Sequence, residues 1–178
     1  PLYYEVRDGA ATLLGVSNPV VVRPAGEPRL FWGETHGHEG YTDGNGTPEW
    51  YLGYARDVAF LDFAALTGHD LMLSELHFRD VLRVTREFND PARGFVTLPA
   101  YEWTMGWQNG GHHNVFYQDE SQRVLTTAQT GTLTRLFDAQ RRHNDPDKVL
   151  IIPHAHMPGD WASLESDLGP LVEIYSTH

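Results

Sequence analysis

The sequence predicts an α/β domain, entered through a short run of β-strands from an adjoining β-rich module. Three observations carry this reading. From residue 29 onward, short apolar segments alternate with stretches at helical spacing, the strand–helix order of α/β folds. Segments such as Val149 to Ile152 and Phe63 to Leu66 are apolar on both faces, as parallel strands covered by helices should be. Eight of the ten histidines fall within a few residues of a predicted strand, mostly at its carboxyl end, where the sites of α/β sheets and barrels form.

The elements follow in order. Tyr3 to Val22 reads as strands and a turn, and residues 24–28 (PAGEP) as a linker, so 1–28 is assigned to the β-rich module and 29–178 to the α/β domain. Leu30 to Thr35 is a strand. Thr47-Pro48-Glu49 opens a helix to about Ala59, with Thr as N-cap, Pro at the first helical position and an acid in the first turn. Leu61 to Thr67 is a strand, Ser74 to Phe88 a helix, and Phe95 to Tyr101 a strand ending at Glu102. Val115 to Tyr117 is a short strand, and Thr132 to His143 a helix with Leu133, Leu136, Phe137 and Gln140 at helical spacing. Val149 to Pro153 is a buried strand and Leu171 to Tyr175 a last one. All crossovers are expected to be right-handed and the strands parallel.

Composition narrows the function classes. The 178 residues carry a formal charge of -11, from 13 basic and 24 acidic side chains, with no Lys/Arg cluster, so a basic nucleic-acid footprint is excluded. No apolar run reaches the length of a membrane span. With no cysteine, neither disulfides nor thiolate metal sites can form, and any metal site must use His, Asp and Glu. The chain opens on Pro1 rather than a methionine, and its native start is expected to lie further upstream.

The stretch Leu30 to Gly44, LFWGETHGHEGYTDG, is the most informative. Residues i and i+2 of extended chain point to one side, so His36 and His38 can reach one ion while Gly37 keeps the gap clear. Imidazole nitrogen suits zinc, iron or manganese. Glu102 ends its strand between Tyr101 and Trp103; a carboxylate there is costly unless a cation removes the cost, and it can bridge two ions. One of His112 and His113 is expected to face the site, with Asn114 able to pin a ring. His154 leaves the most core-like strand, and His156 lies two residues on, before a Pro158-Gly159 turn. Asp43 and Asp70 sit beside histidine groups and can orient imidazoles, though Asp70 also reads as a turn or helix cap. His77 and His143 read as helix-surface residues. Trp103, Trp107 and Trp161 read equally as cleft wall or core, and Glu173 can face either way along its strand.

As a set, GETHGHEGYTDG, LTGHD (66–70), LPAYEW (98–103), GGHHNVFY (110–117) and IIPHAH (151–156) resemble the polymerase and histidinol phosphatase (PHP) family of metal-dependent hydrolases, in its large branch of domains of unknown function. The resemblance covers about residues 29–178. It implies an incomplete distorted (β/α)7 barrel with two or three divalent ions (Zn, Mn or Fe) at the carboxyl ends of the strands. By it, His36 and His38 match ligands of the first ion, Glu102 the bridging carboxylate, His113 (slightly ahead of His112) and His154 ligands of the second, and His69 a ligand of the third. Asp43 falls in the aspartate position of the first motif's tail. Two departures stand out: Gly68 replaces the family's aspartate in Thr-Asp-His, and no late Asp-x-His pair follows His154. With five or six strands against the roughly 250 residues of a closed barrel, the chain reads as part of a longer protein.

The function expected is hydrolysis of a small phosphorylated substrate by water activated at the His/Glu cluster, with His69, Asp70 or His154 passing the proton to the leaving group. Nucleophile-elbow and phosphate-loop motifs are absent. An amide or ester hydrolase on the same site is the alternative within catalysis, and a non-catalytic metal-binding or interaction module the alternative outside it.

Overall fold

The computed structural model describes residues 2–17, 24–106, 110–155 and 159–176. The predicted PVVV strand, Trp107, His156, Pro158 and His178 lie outside the described residues. The chain divides into two compact units, 1–30 and 31–178.

The first unit is an antiparallel hairpin of β1 (Glu5–Arg7) and β2 (Leu13–Val16). Its turn is held by Asp8, whose Oδ1 accepts from the backbone N–H groups of Ala10 at 2.9 Å and Thr12 at 2.8 Å.

The second unit has mixed α/β architecture. It runs β3 (Gly33–Gly37), α1 (Pro48–Asp57), β4 (Phe63–Leu66), α2 (Glu75–Phe88), β5 (Val96–Leu98), β6 (Ala100–Thr104), β7 (His112–Tyr117), α3 (Thr127–Thr130), α4 (Leu133–His143) and β8 (Val149–Pro153). The helix starts follow the capping residues. Thr47 accepts from Trp50 N, Ser74 from His77 N and Thr132 from Arg135 N, each satisfying an orphan donor of the first turn. Leu133, Leu136, Phe137 and Gln140 form the buried stripe of α4, which packs with Tyr101, Trp103, Val115 and Ile151. A second core sets α1 and α2 on β4 through Leu52, Ala55, Ala64, Leu66, Val81 and Val84. No helix among the described residues is long and apolar enough to cross a membrane.

β3, β4 and β5 form a parallel sheet. Pro99, which has no N–H to donate, separates β5 from β6 in one extended run. β6 stays tied to the chain beyond β4, since Glu102 N donates to Gly68 O and Asp70 N to Glu102 O, both at 3.0 Å. The expectation of parallel strands throughout fails at β7, which is antiparallel to both β6 and β8. The connection at residues 105–111 is shorter than the dozen or so residues a parallel crossover needs, so the chain returns as a hairpin. The reversal matters for the site: Thr104 pairs with His112, and His113 with Pro153, so the start of β7 lies at the same edge as the ends of β6 and β8.

Two further expectations are corrected. Residues 171–176 form no strand: they have no ladder partner among the described residues, and Ile174 is 94% exposed. No closed barrel forms among the described residues, whose strands fall into a hairpin and two three-stranded sheets.

Candidate metal centre

Alternation along β3 puts Glu34, His36 and His38 on one face. The loop after it curls back tightly, with Gly40 N donating to Gly46 O at 2.8 Å. A Cβ at Gly44 would lie 2.0 Å from His38 O, so only glycine allows this closure. The turn returns Asp43 to His38, with Oδ1 2.5 Å from Nδ1. His36 Nδ1 is held at 2.8 Å by Glu173 Oε1.

Glu102, on β6, is the centre of the arrangement and is fully buried. Its Oε1 lies 3.0 Å from His112 Nδ1 and 3.8 Å from His36 Nε2, and its Oε2 lies 3.1 Å from His38 Nε2 and 2.8 Å from His69 Nδ1. His69 also meets Thr104 Oγ1 at 2.8 Å through Nδ1, and its Nε2 lies 3.4 Å from Asp43 Oδ2. The His154 ring stands edge-on to His36 with centroids 4.7 Å apart. Three overlapping groups result, each with donor atoms within 4.8 Å of one another: His36, Glu102 and His154; His38, Asp43 and His69; His69, Glu102 and His112.

Despite the short separations, Glu102 Oε2, His36 Nε2 and His38 Nε2 are buried without a hydrogen-bond partner. His38 Nε2 lies 3.1 Å from Glu102 Oε2, and His36 Nε2 lies 3.8 Å from Glu102 Oε1. Unsatisfied buried polar atoms are rare and costly, and a divalent cation is the group that satisfies several acceptors at once. The donor set of imidazole nitrogen and carboxylate oxygen fits zinc, manganese or iron.

The electrostatics of the metal-free cluster agree. Burial alone would raise the Glu102 carboxyl, but His112, His36, His38 and His69 outweigh it and hold the group far below the usual carboxylate range. Burial alone would lower His36, His38 and His69; the Glu102 carboxylate beside them, with Glu173 at His36 and Asp43 at His38, raises all three. His154 is lowered by burial and by the neighbouring His36. A cavity of about 310 Å³, lined by Glu34, His36, His38, Asp43, Glu173 and Tyr175 among others, opens onto the cluster.

The other sequence candidates divide. Adjacent strand residues face opposite ways, and His112 turns to Glu102 while His113 turns into the core, 5.9 Å from the Trp103 ring, where burial and the neighbouring His112 lower its pKa to about 4. The Asp70 side chain has no hydrogen bond to a histidine among the described residues. It accepts from Thr104 N at 3.1 Å and from Thr127 N and Oγ1 at 2.5 and 2.9 Å, locking the loop after β4 to β6 and α3. Trp103 is fully buried, with Nε1 donating to Thr130 Oγ1, whereas Trp161 is 48% exposed beside His112 and His154. His143 is exposed, but His77 stacks on Tyr41 at 4.4 Å with its Nδ1 buried.

Two residues gain a place that sequence reasoning did not give them. Glu173 turns inward. Glu39 is fully buried, and neither of its oxygens has a partner among the described residues; burial raises its pKa. A Cβ at Gly68 would lie 2.8 Å from Glu39 Oε1, so the acid at 39 and the glycine at 68 are a steric pair. An acid following H-x-H in a glycine-rich turn carries no signal of burial; the glycine opposite was the visible trace. No family model matches the chain, and no curated protein matches it either.

Proposed function

We propose that the protein is a metal-dependent hydrolase of phosphoesters, built on part of a PHP-type barrel of about seven β/α units, with residues 1–28 the last strands of a β-rich module. The observation that carries the chemistry is the fully buried Glu102 ringed by four imidazoles, with its own Oε2 and the Nε2 atoms of His36 and His38 buried without a hydrogen-bond partner. His36, Glu102 and His154 would hold one ion, His69, Glu102 and His112 a second, and His38, Asp43 and His69 are placed to hold or share a third. When bound, such ions polarise a substrate oxygen and lower the pKa of water.

The chain's own residues do the rest. Glu102, as a shared carboxylate, sets the spacing of the groups around it. Glu34, Asp43 and Glu173 line the cavity, so its field repels a phosphoryl group unless cations are present, which makes loading a condition of substrate binding. Of the acid–base candidates, Asp70 is fully engaged by Thr104 and Thr127. Proton delivery then falls to His69 paired with Asp43 where that imidazole holds no ion, or to His154 on the same condition. Phosphoesters are preferred over amides and esters through the family resemblance.

The test is metal analysis of the full-length protein, followed by assays of Zn-, Mn- and Fe-loaded samples on p-nitrophenyl phosphate, bis(p-nitrophenyl) phosphate and a panel of esters and amides. The proposal expects at least two ions per chain and phosphoesterase turnover abolished by chelation. Protein that stays metal-free at saturating zinc and manganese would refute it; metal-loaded protein with no turnover on any probe would favour a binding module instead.

A further inference from the structure

We propose that Glu173 is a positioning residue that fixes which nitrogen His36 presents to the cluster and couples that choice to the end of β8. This rests on reading the cluster as a metal centre.

Residues 171–176 have no regular structure, and Leu171, Val172, Ile174 and Tyr175 are each more than half exposed. Glu173 differs from these neighbours: its side chain is only 16% exposed. Its Oε1 lies 2.8 Å from His36 Nδ1, while its Oε2 accepts from Ala155 N at 2.9 Å and lies 3.7 Å from His154 Nδ1. One carboxylate thus joins the ends of β3 and β8, strands that belong to different sheets.

The chemical consequence follows from the imidazole. A neutral ring has one N–H and one lone pair. With Nδ1–H donated to Glu173, the lone pair is on Nε2, the atom that is buried without a partner 3.8 Å from Glu102 Oε1. An anionic acceptor also makes that ring a stronger donor to a metal than a backbone carbonyl would. Glu173 belongs to none of the donor groups gathered within 4.8 Å among the described residues, so it acts through His36 and the β8 end rather than as a further ligand.

The test compares wild-type full-length protein with Glu173→Ala, Glu173→Gln and Glu173→Asp. Chelator competition with zinc or manganese should show one ion bound about 10–100-fold more weakly in the alanine variant, a smaller loss in the glutamine variant and partial retention in the aspartate variant. Long-range ¹⁵N–¹H spectra of the metal-free protein at pH 9 should place the His36 proton on Nδ1 in wild type and shift it toward Nε2 in Glu173→Ala, a readout that loss of packing alone would not give. Wild type that loads while both the alanine and glutamine variants load with unchanged affinity, and with the His36 tautomer unchanged, overturns this inference alone. Wild type that takes up no ion overturns the metal reading, and this inference with it.

Discussion

Glu102 Oε2 and His38 Nε2 approach to 3.1 Å without forming a hydrogen bond. Both atoms are buried, and both are acceptors once the imidazole is neutral. Two acceptors held together in a dry site repel unless a proton or a metal ion lies between them. Replacing Glu102 with Gln keeps the volume but removes the charge shared by at least two of the donor groups. The expected outcome is loss of at least one ion per chain by elemental analysis and a fall in turnover of at least about 100-fold. Unchanged stoichiometry in the Gln variant would remove Glu102 from the centre.

Metal and protons compete for the same lone pairs, which gives two opposite pH dependences. In the metal-free protein His36, His38 and His69 are raised above the ordinary imidazole value, so the folded state binds more protons than the unfolded one just above pH 6.5. Their stabilisation is complete below the unfolded pKa and is lost as pH rises through the folded values. Thermal melts of metal-free protein should therefore fall as pH rises above 6.5. A cation must displace those protons, so metal affinity should rise over the same window, and calorimetry in buffers of different ionisation enthalpy should detect proton release. Loaded protein at 100 times Kd gains about 2.7 kcal/mol, or about 5–10 °C.

His112 and His113 are neighbours with opposite environments, and substitution should separate them. His112→Ala removes an imidazole 3.0 Å from Glu102 Oε1 and should weaken metal binding about 10–100-fold. His113→Ala removes a side chain that is 3% exposed against Trp103 and should cost about 1–3 kcal/mol of stability while leaving metal stoichiometry intact. In wild type, His113 contributes stability that is present above pH 6.5 and lost as pH falls toward its folded pKa of about 4. A His113→Ala variant that loses metal while His112→Ala keeps it would reverse the assignment.

How much of this was legible depended on whether the signal was local. Thr47-Pro48-Glu49, Ser74 and Thr132 announced their helices because capping is settled within one turn. That His36 and His38 face one side was legible because a period of two in extended chain is a local rule, but the two fall in different donor groups rather than around one ion. The antiparallel β7 was not read, although the shortness of residues 105–111 held the clue; it is this reversal that brings His112 to the edge. Leu171 to Tyr175 has strand composition, but pairing is a property of neighbours and not of the segment. Asp70 was placed beside the chemistry by its position next to His69, yet alternation and the Thr127 donors carry it away. The burial of Glu39 depends on an absent side chain 29 residues along, a relation no periodicity encodes.

That relation supplies the last prediction. Glu39 Oε1 occupies the space where a Cβ at Gly68 would sit, 2.8 Å away, with Thr42 Cγ2 at 2.9 Å on the same spot. Gly68→Asp would force a second carboxylate against a fully buried one that has no partner among the described residues. Steric room is lacking there, so the single variant should be destabilised by about 2–4 kcal/mol. Glu39→Thr alone removes an unpartnered buried carboxyl, and should be neutral or stabilising by up to about 1 kcal/mol. If the two positions share one space, the double variant Glu39→Thr/Gly68→Asp should recover most of the loss, with a coupling of about 1–3 kcal/mol in a denaturation cycle. Additive single effects would show that the two sites do not meet.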